Sequence, residues 1–336
     1  MPGIIFSEGS GVANSIYGNS QAPIKMMIEK RNKACKENSL VEKVFEVVDS
    51  SHWAESYGGL TGGEPMQPVG ENGEYPAQDI REGFKKILTN VTWKSKQSIS
   101  KEMLDDQNNF KIKNAMNRLS TAYYSARERL GASLMCAAID GKKKVEHAKE
   151  MFDTTSADNV CLFSTAHPSA LKKANQSNRF KDAFSNRALA HAESAMQLFK
   201  DDNDELLVVA PDTIIIPNDP ELMLNVFAAV GADKMPDTAN NGFNYQFGRW
   251  NVIIWNYLNQ FLVGSNRPWM LMDSKYNKEC LGAILQDREP FTVRSVYNDS
   301  NDANDVHART RFTAGFNDWR AFCLAGVEDG TQLITD

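Results

Sequence analysis

The sequence predicts an α+β chain built from an extended glycine-rich hairpin, one very long helix behind it, and a smaller α/β unit inserted before the final strands. Three observations carry this reading. Residues 101 to 140 place Ile112, Met116, Leu119, Tyr123, Ala126, Leu130, Leu134 and Ala137 at alternating steps of three and four, which is one face of a helix. The preceding stretch, SYGGLTGGEPMQPVGENGEYP, holds too many glycines and prolines for any element interior. Further on, LLVVAPDTIIIP gives the strongest strand signal in the chain, two β-branched runs around Pro211.

Taken in order, residues 1–48 form an N-terminal arm. Its first part is rich in Gly, Ser and Asn with isolated apolar residues, so it has no core of its own. Its second part mixes a helical apolar pattern with Lys25, Lys30, Arg31, Lys33 and Lys36, either a solvated helix face or a basic patch. Residues 49–100 read as a long hairpin with a mobile tip, Trp53 on one flank and Ile87, Leu88, Val91 and Trp93 on the other. Two tryptophans on a projecting arm point to a surface that meets a partner. A glycine-rich phosphate cradle would need a closing Gly-Lys-Ser/Thr and a helix directly after it, and neither is there.

For the long helix, Ser100 reads as the N-cap, Glu102, Asp105 and Asp106 complement the dipole, and Gly141 with Lys142 to Lys144 marks the stop. At about 1.5 Å per residue such a helix spans roughly 60 Å. Gly131 is costly mid-helix, so the pattern allows one helix, a coiled coil, or two helices divided there. The spacing extends helix from Lys142 to Phe152, then predicts a short buried strand ending at Phe163 and a helix over 184–199. Within 205–305 it predicts strands over 206–216, 250–257 and 269–272 around an acidic helix at 220–230, and beyond 305 alternating strands to Ala325.

Composition narrows the function. The chain has 336 residues, 42% of them hydrophobic, and a net charge of −6, which opposes a protein devoted to gripping nucleic acid and leaves room only for a local basic face. Five scattered cysteines without a C-x-x-C pair fit reduced thiols in the cytosol. The five histidines include no ligand pair, and Asp299, Asp302 and Asp305 lack the Gly and Glu of a calcium loop. No catalytic motif, cofactor fingerprint, metal site or membrane-length apolar run is present. The expectation is a structural protein and no enzyme.

The order of arm, hairpin, long helix, inserted α/β unit and final strand, together with LFSTAHP at 162–168, ELLVVAPDTIIIP at 205–217, RPWMLMD at 267–273 and ARTRFTAGFNDWRAF at 308–322, resembles the major capsid proteins of tailed phages with the Hong Kong 97 fold, most closely the phage Mu-like head subunits. The resemblance implies a self-assembling icosahedral shell of pentamers and hexamers around double-stranded DNA, located in the virion and assembled in the bacterial cytoplasm. It divides the chain into N-arm (1–48), extended loop (49–100), peripheral domain (101–204, spine helix 101–140), axial domain (205–305) and a return to the peripheral domain (306–336). Scaffolding, portal and decoration proteins are the implied partners, and no cofactor is implied. Trp53, Gly58, Gly59, Gly62, Gly63 and Trp93 become the intersubunit loop, Gly131 a hinge in the spine helix, and Lys30, Arg31 and Lys33 the DNA-facing cations. Lys85, Lys86, Lys94 and Lys96 lie in the loop without a matching Asn and Glu for covalent crosslinking. An encapsulin-like compartment around cargo enzymes is the alternative.

Overall fold

The computed structural model describes residues 5–6, 30–60, 82–102, 109–232, 243–264 and 267–334, with positions 66, 68–71 and 74–77 in between. In chain order, β1 (Ile5–Phe6), α1 (30–37), α2 (Val41–Val44) and β2 (Glu46–Asp49) lead into the hairpin of β3 (Ala54–Leu60) and β4 (Glu82–Thr89). Then come β5 (Val91–Ser100), α3 (Asn109–Ile139), a small hairpin of β6 (Lys144–His147) and β7 (Glu150–Asp153), and α4 (Asn186–Gln197). Next are β8 (Thr213–Ile216), α5 (Pro220–Val230), β9 (Asn251–Ile254), α6 (Leu258–Phe261), β10 (Trp269–Met272) and α7 (Ser274–Cys280). The long pair β11 (Ala283–Asn298) and β12 (Ala303–Phe316) precedes the closing β13 (Phe322–Ala325).

Two sheets organise these elements. One runs β1-β11-β12-β5 with β2 also on β11, and the other runs β13-β10-β8-β9. Three strands of the second sheet, β8, β10 and β13, are buried along their whole length, as their runs TIII, WMLM and FCLA require, while the edge strand β9 is partly exposed. Its helices start on side-chain caps: Asp219 accepts from Glu221 N and Leu222 N ahead of Pro220, and Asp273 accepts from Lys275 N and Tyr276 N. Ser185 caps α4 in the same way through Ala188 N.

Helix α3 joins the two halves. Leu119 packs on Ile99, Phe291, Val293, Val306 and Ala308 of the first sheet, with Tyr123 against them. From Leu130 to Ile139 every residue is buried, so the single stripe read from the sequence becomes all-round burial in the last turns. The helix is continuous through Gly131. An added Cβ there would lie 2.5 Å from Val41 Cγ2, 3.3 Å from Trp255 and 3.4 Å from Phe45, so the glycine allows α2 and Trp255 to close on the helix.

Several expectations are corrected. The helix expected over 101–140 is described at Lys101 and Glu102, directly after Ser100 ends β5 opposite Ala303, and again as α3 from Asn109 to Ile139, while residues 103–108 lie outside the described residues. Lys142–Phe152 is a hairpin and not a helix: Gly141, at φ 69°, ends α3, and Ala148 and Lys149, at φ 51° and 70°, make the turn that pairs Val145 with Phe152. Of 206–216, only Thr213–Ile216 joins a ladder, because Val208 at φ 52° and Pro211 break the extended run before it. Val160 to Phe163 is largely buried but makes only the isolated Thr155–Cys161 bridge. Trp250–Tyr257 shortens to Asn251–Ile254.

Gly131→Leu should cost the soluble chain about 2 kcal/mol or more, because the larger side chain must displace Val41 or Trp255 in a filled core. Urea unfolding of the purified protein tests this, and an unchanged midpoint would remove the packing role assigned to Gly131.

Candidate functional site

The extended hairpin is rooted by buried polar groups. Lys86 on β4, 5% exposed, donates to Asp153 Oδ2 at 2.9 Å, Thr155 O at 2.6 Å and Thr155 Oγ1 at 2.9 Å, which satisfies all three ammonium donors. On the other strand, Tyr57 donates to Gln286 Oε1 at 2.9 Å, Gln286 donates to Asn90 Oδ1 at 2.8 Å, and Asn90 donates to Ser50 Oγ and to His52 O, each at 2.9 Å. Ser50 in turn donates to Glu55 at 2.9 Å. This relay ties the start of the hairpin to β11. Backbone N–H groups of His52 and Ser51 and the Ser50 hydroxyl hold the Glu55 carboxyl down to about 2. Burial works against ionisation of Asp153, yet its bonds from Lys86 and Thr155 prevail and keep it below its ordinary range.

The residues expected to form the intersubunit loop are not gathered in one place. Trp53 sits at the hairpin root and is 66% exposed. Gly58 and Gly59 lie within β3, where Gly58 faces Lys85 and the register shifts before Leu60. Gly62 and Gly63 lie outside the described residues. Trp93 belongs to β5 and packs inward, its ring 4.9 Å from Phe312 and nearly parallel to it, its indole N–H on Phe312 O. Lys30, Arg31 and Lys33 are exposed on α1, with Arg31 within 3.5 Å of Thr121 on α3.

Three features escaped the sequence reading. Around the middle of α3, buried Arg127 holds Asp287 with one nitrogen at 2.7 and 2.8 Å from its two oxygens, Glu42 at 3.2 Å and the Tyr123 hydroxyl at 2.6 Å. Burial lifts the Asp287 and Glu42 carboxyls above their ordinary values while the guanidinium pulls them back. Its neighbour Glu128 accepts from Ser39 Oγ, Leu40 N, Val41 N and Trp255 Nε1. In the second, His167 meets Asp158 at 2.6 Å and Asn178 at 3.1 Å while stacking 4.2 Å above Trp319. Both ring nitrogens are engaged and the pair is enclosed, so it pins a loop and offers no chemistry. A charged residue inside a helical pattern and a histidine before a proline carry no sequence signal for such long-range pairings.

Third, the segment Phe243 to Phe247 is inside out. Asn244 and Gln246 are fully buried, while Phe243, Tyr245 and Phe247 are 81%, 45% and 50% exposed. Asn244 donates to Ala229 O and Ala232 O at the end of α5, and Gln246 links Glu193 to Trp250. Satisfied amides anchor this turn segment and leave its aromatics outward. Leu224 and Phe227, on the outer face of α5, are exposed as well. Among the described residues no group of side chains could hold a metal ion, all five cysteines are unpaired, and no helix is long and apolar enough to cross a membrane.

A family model described as phage capsid protein matches residues 85–325. Among solved structures, the capsid of cyanophage P-SCSP1u is similar with a TM-score of 0.51 and 10% identity, over 86% of this chain and 88% of that one. The capsid of Myoviridae phage XM1 is similar with a TM-score of 0.50 and 11% identity, over 85% and 90%. At these identities the likeness is one of fold. No curated protein matches the chain.

Because the folded state depresses the Glu55 carboxyl from 4.5 to about 2, its contribution to holding the hairpin root is complete above pH 4.5 and is lost as pH falls toward 2. A carboxylate titration followed by NMR checks this, and a midpoint near the ordinary glutamate value would refute it. Lys86→Met should release β4 from the Asp153 hairpin at a cost of about 2 kcal/mol, seen as faster proteolysis between β3 and β4; cleavage at the parent's rate would refute the anchor.

Proposed function

The chain belongs to the phage capsid protein family, and from this we infer how a major capsid shell protein of this sequence works. The observation that carries the reading is the family match over residues 85–325, most of the chain, including the whole of α3, the whole second sheet, and β5, β11 and β12 of the first. The function is structural, and the copies assemble with one another into a shell.

The finer reading is that the shell is icosahedral, of the Hong Kong 97 type and nearest the Mu-like head subunits, and encloses double-stranded DNA. Residues 1–48 serve as the arm, β3 and β4 as the root of a loop that lies over a neighbouring copy, and α3 as the spine of the peripheral domain. The sequence reading gives the axial domain as 205–305 and the return to the peripheral domain as 306–336; sheet membership favours an earlier end for it near 282, with β11 and β12 in the peripheral body and β13 in the axial sheet. The exposed aromatics of 243–247 and the outer face of α5 would meet other copies, since apolar groups held in water by buried amides stabilise little until a neighbour covers them. Scaffolding, portal and decoration proteins are further partners in this reading, and Lys30, Arg31 and Lys33 are candidate DNA contacts.

Mechanism here is mechanical. Each copy is a rigid body, α3 clamped between two sheets, with segments at its margins that adapt to different neighbours. The rooted hairpin transmits a pull on its tip to β11 through Tyr57 and Gln286 and to β7 through Lys86.

Expressed alone or with its scaffolding protein, the purified chain should give closed shells by negative-stain electron microscopy and a matching large species by light scattering; a uniform monomer or dimer in both preparations would overturn the reading. Tyr245→Asp with Phe247→Asp should lower the shell yield while leaving the thermal midpoint of the soluble chain unchanged. Wild-type yield from that variant would remove the aromatic contact.

A further inference from the structure

The first sheet ends on an open edge. Strand β5 is the last strand of its path, laddered to β12 from Val91 to Ser100, and among the described residues no strand pairs with its other side. The opposite edge, on β11, already accepts two extended segments in parallel, β1 at Thr292 and Val293 and β2 from Ile284 to Asp287. A row of backbone N–H and C=O groups at a sheet edge is a template for one more strand.

Beside that edge lies a cavity of about 190 Å³ between β5, β12 and α3. Register explains it. On the face turned to the helix Trp93 lies opposite Thr310 and Ser95 opposite Ala308, and Ala122 and Ala126 on α3 are equally short, which leaves space walled by Trp93, Tyr123, Phe291 and Phe312. Ser95 and Ala122 are exposed, so the cavity opens beside β5. The polar groups around it are used elsewhere: Trp93 Nε1 donates to Phe312 O, the Tyr123 hydroxyl accepts from Arg127, and Thr310 Oγ1 donates to Glu289 O. An occupant would therefore be apolar, and the volume exceeds the roughly 150 Å³ that holds a benzene ring.

The other face of β5 sets a second condition. Lys94 lies opposite Arg309, and Lys96, His307 and Arg294 form the next row. Arg309 reaches Glu289 at 3.4 Å and Lys96 pairs with Asp305, whereas Lys94 has no ion-pair partner among the described residues. Lysines on an edge discourage two copies from pairing there, since a second β5 would set Lys against Lys, and like charges directly opposite each other are destabilising. A strand bearing carboxylates at those positions is attracted instead. Successive side chains of a strand point to opposite faces, so one extended segment meets both conditions, acidic over the lysines and apolar into the cavity.

We propose that β5 is a docking edge for another protein: an extended segment with carboxylates at alternate positions adds to the sheet, lays those carboxylates over Lys94 and Lys96, and sinks a phenyl or branched aliphatic side chain into the cavity between Trp93 and Tyr123. The inference goes beyond the shell reading and does not depend on it, because edge and cavity belong to one folded copy. In this mode main-chain hydrogen bonds supply affinity and the seated side chain supplies specificity. The ion pairs steer encounter, and they weaken as salt shortens the screening length, about 8 Å at 0.15 M and less beyond.

The probe is a capped synthetic peptide that alternates Glu with Val around one central Phe, titrated into the purified full chain in its soluble form and followed by fluorescence anisotropy. It should bind saturably, bind less well as salt rises, and slow amide hydrogen exchange over residues 92–98. Replacing its Phe with Ala should weaken binding about tenfold or more. Methylating its backbone nitrogens should abolish binding, because the ladder needs those donors. On the protein, Ala122→Phe fills the mouth of the cavity and Lys94→Glu reverses the charge. Each should weaken binding and leave the thermal midpoint unchanged, since both positions are exposed. A peptide that never saturates, or that binds equally well when methylated or to both variants, would overturn the proposal. So would exchange protection over 92–98 that appears without peptide and grows with protein concentration, which would assign the edge to a second copy. Closed shells from a chain that ignores the peptide would sink the docking edge and leave the shell reading standing.

Discussion

The adjacent pair Arg127 and Glu128 holds the molecule together at its centre. One side chain of the pair reaches the sheet through Asp287 and the arm through Glu42, and the other captures the start of α2 and the indole of Trp255. Consecutive residues on a helix point about 100° apart, so two neighbours can serve two different sides of the helix at once. Charges this deep are tolerable only when fully engaged. Removing one partner would strand the others in a low-dielectric interior, which is why α2, β11 and the Trp255 loop behave as a single unit with α3. Gly131, one turn further along, completes the same junction by leaving room for Val41 and Trp255.

From that junction the rest of the architecture follows in layers. The N-terminal half of α3 lies on the first sheet through a modest apolar cluster, and its last turns are sunk in the larger core that includes the second sheet. The hairpin of β3 and β4 is attached at the edge by polar groups, with Leu88 closing against Gly315. An apolar core for the body and hydrogen bonds for the arm give the two parts different resistance to movement, as a subunit with varied neighbours requires.

Much of this was legible in the sequence, and the reasons for the rest are specific. Leu119, Leu130 and Leu134 announced the long helix through their spacing, and the β-branched run TIII and the stretch WMLM announced strands, whereas FCLA was read only as part of an alternating stretch. The small hairpin of 144–153 was misread as helix because Lys-Lys-Val-Glu-His satisfies a helical charge pattern, whereas its turn depends on Ala148 and Lys149 adopting φ values unusual for either residue. The sheet to which β13 belongs was invisible, since pairing between Trp269–Met272 and Phe322–Ala325 spans some fifty residues and leaves no local mark. For the surfaces, Trp53 was legible as exposed, but Trp93 was indistinguishable from it until its stacking on Phe312 was seen. The exposed Phe243, Tyr245 and Phe247 were hidden for a simpler reason: they lie in a run of turns, where no regular period says which side chains a distant contact buries.

The late arrival of β13 has a consequence for biosynthesis. The edge of β10 stays open until Phe322–Ala325 leaves the ribosome, some fifty residues after β10 itself. At the usual pace of roughly 5–20 residues per second, β8 and β10 wait several seconds for their last neighbour. A copy cut short by stalled translation or by proteolysis before that point keeps an unsatisfied strand edge in its main core. Synthesis through Ala325 therefore has to precede closure of the second sheet, and with it any association between copies that depends on that sheet.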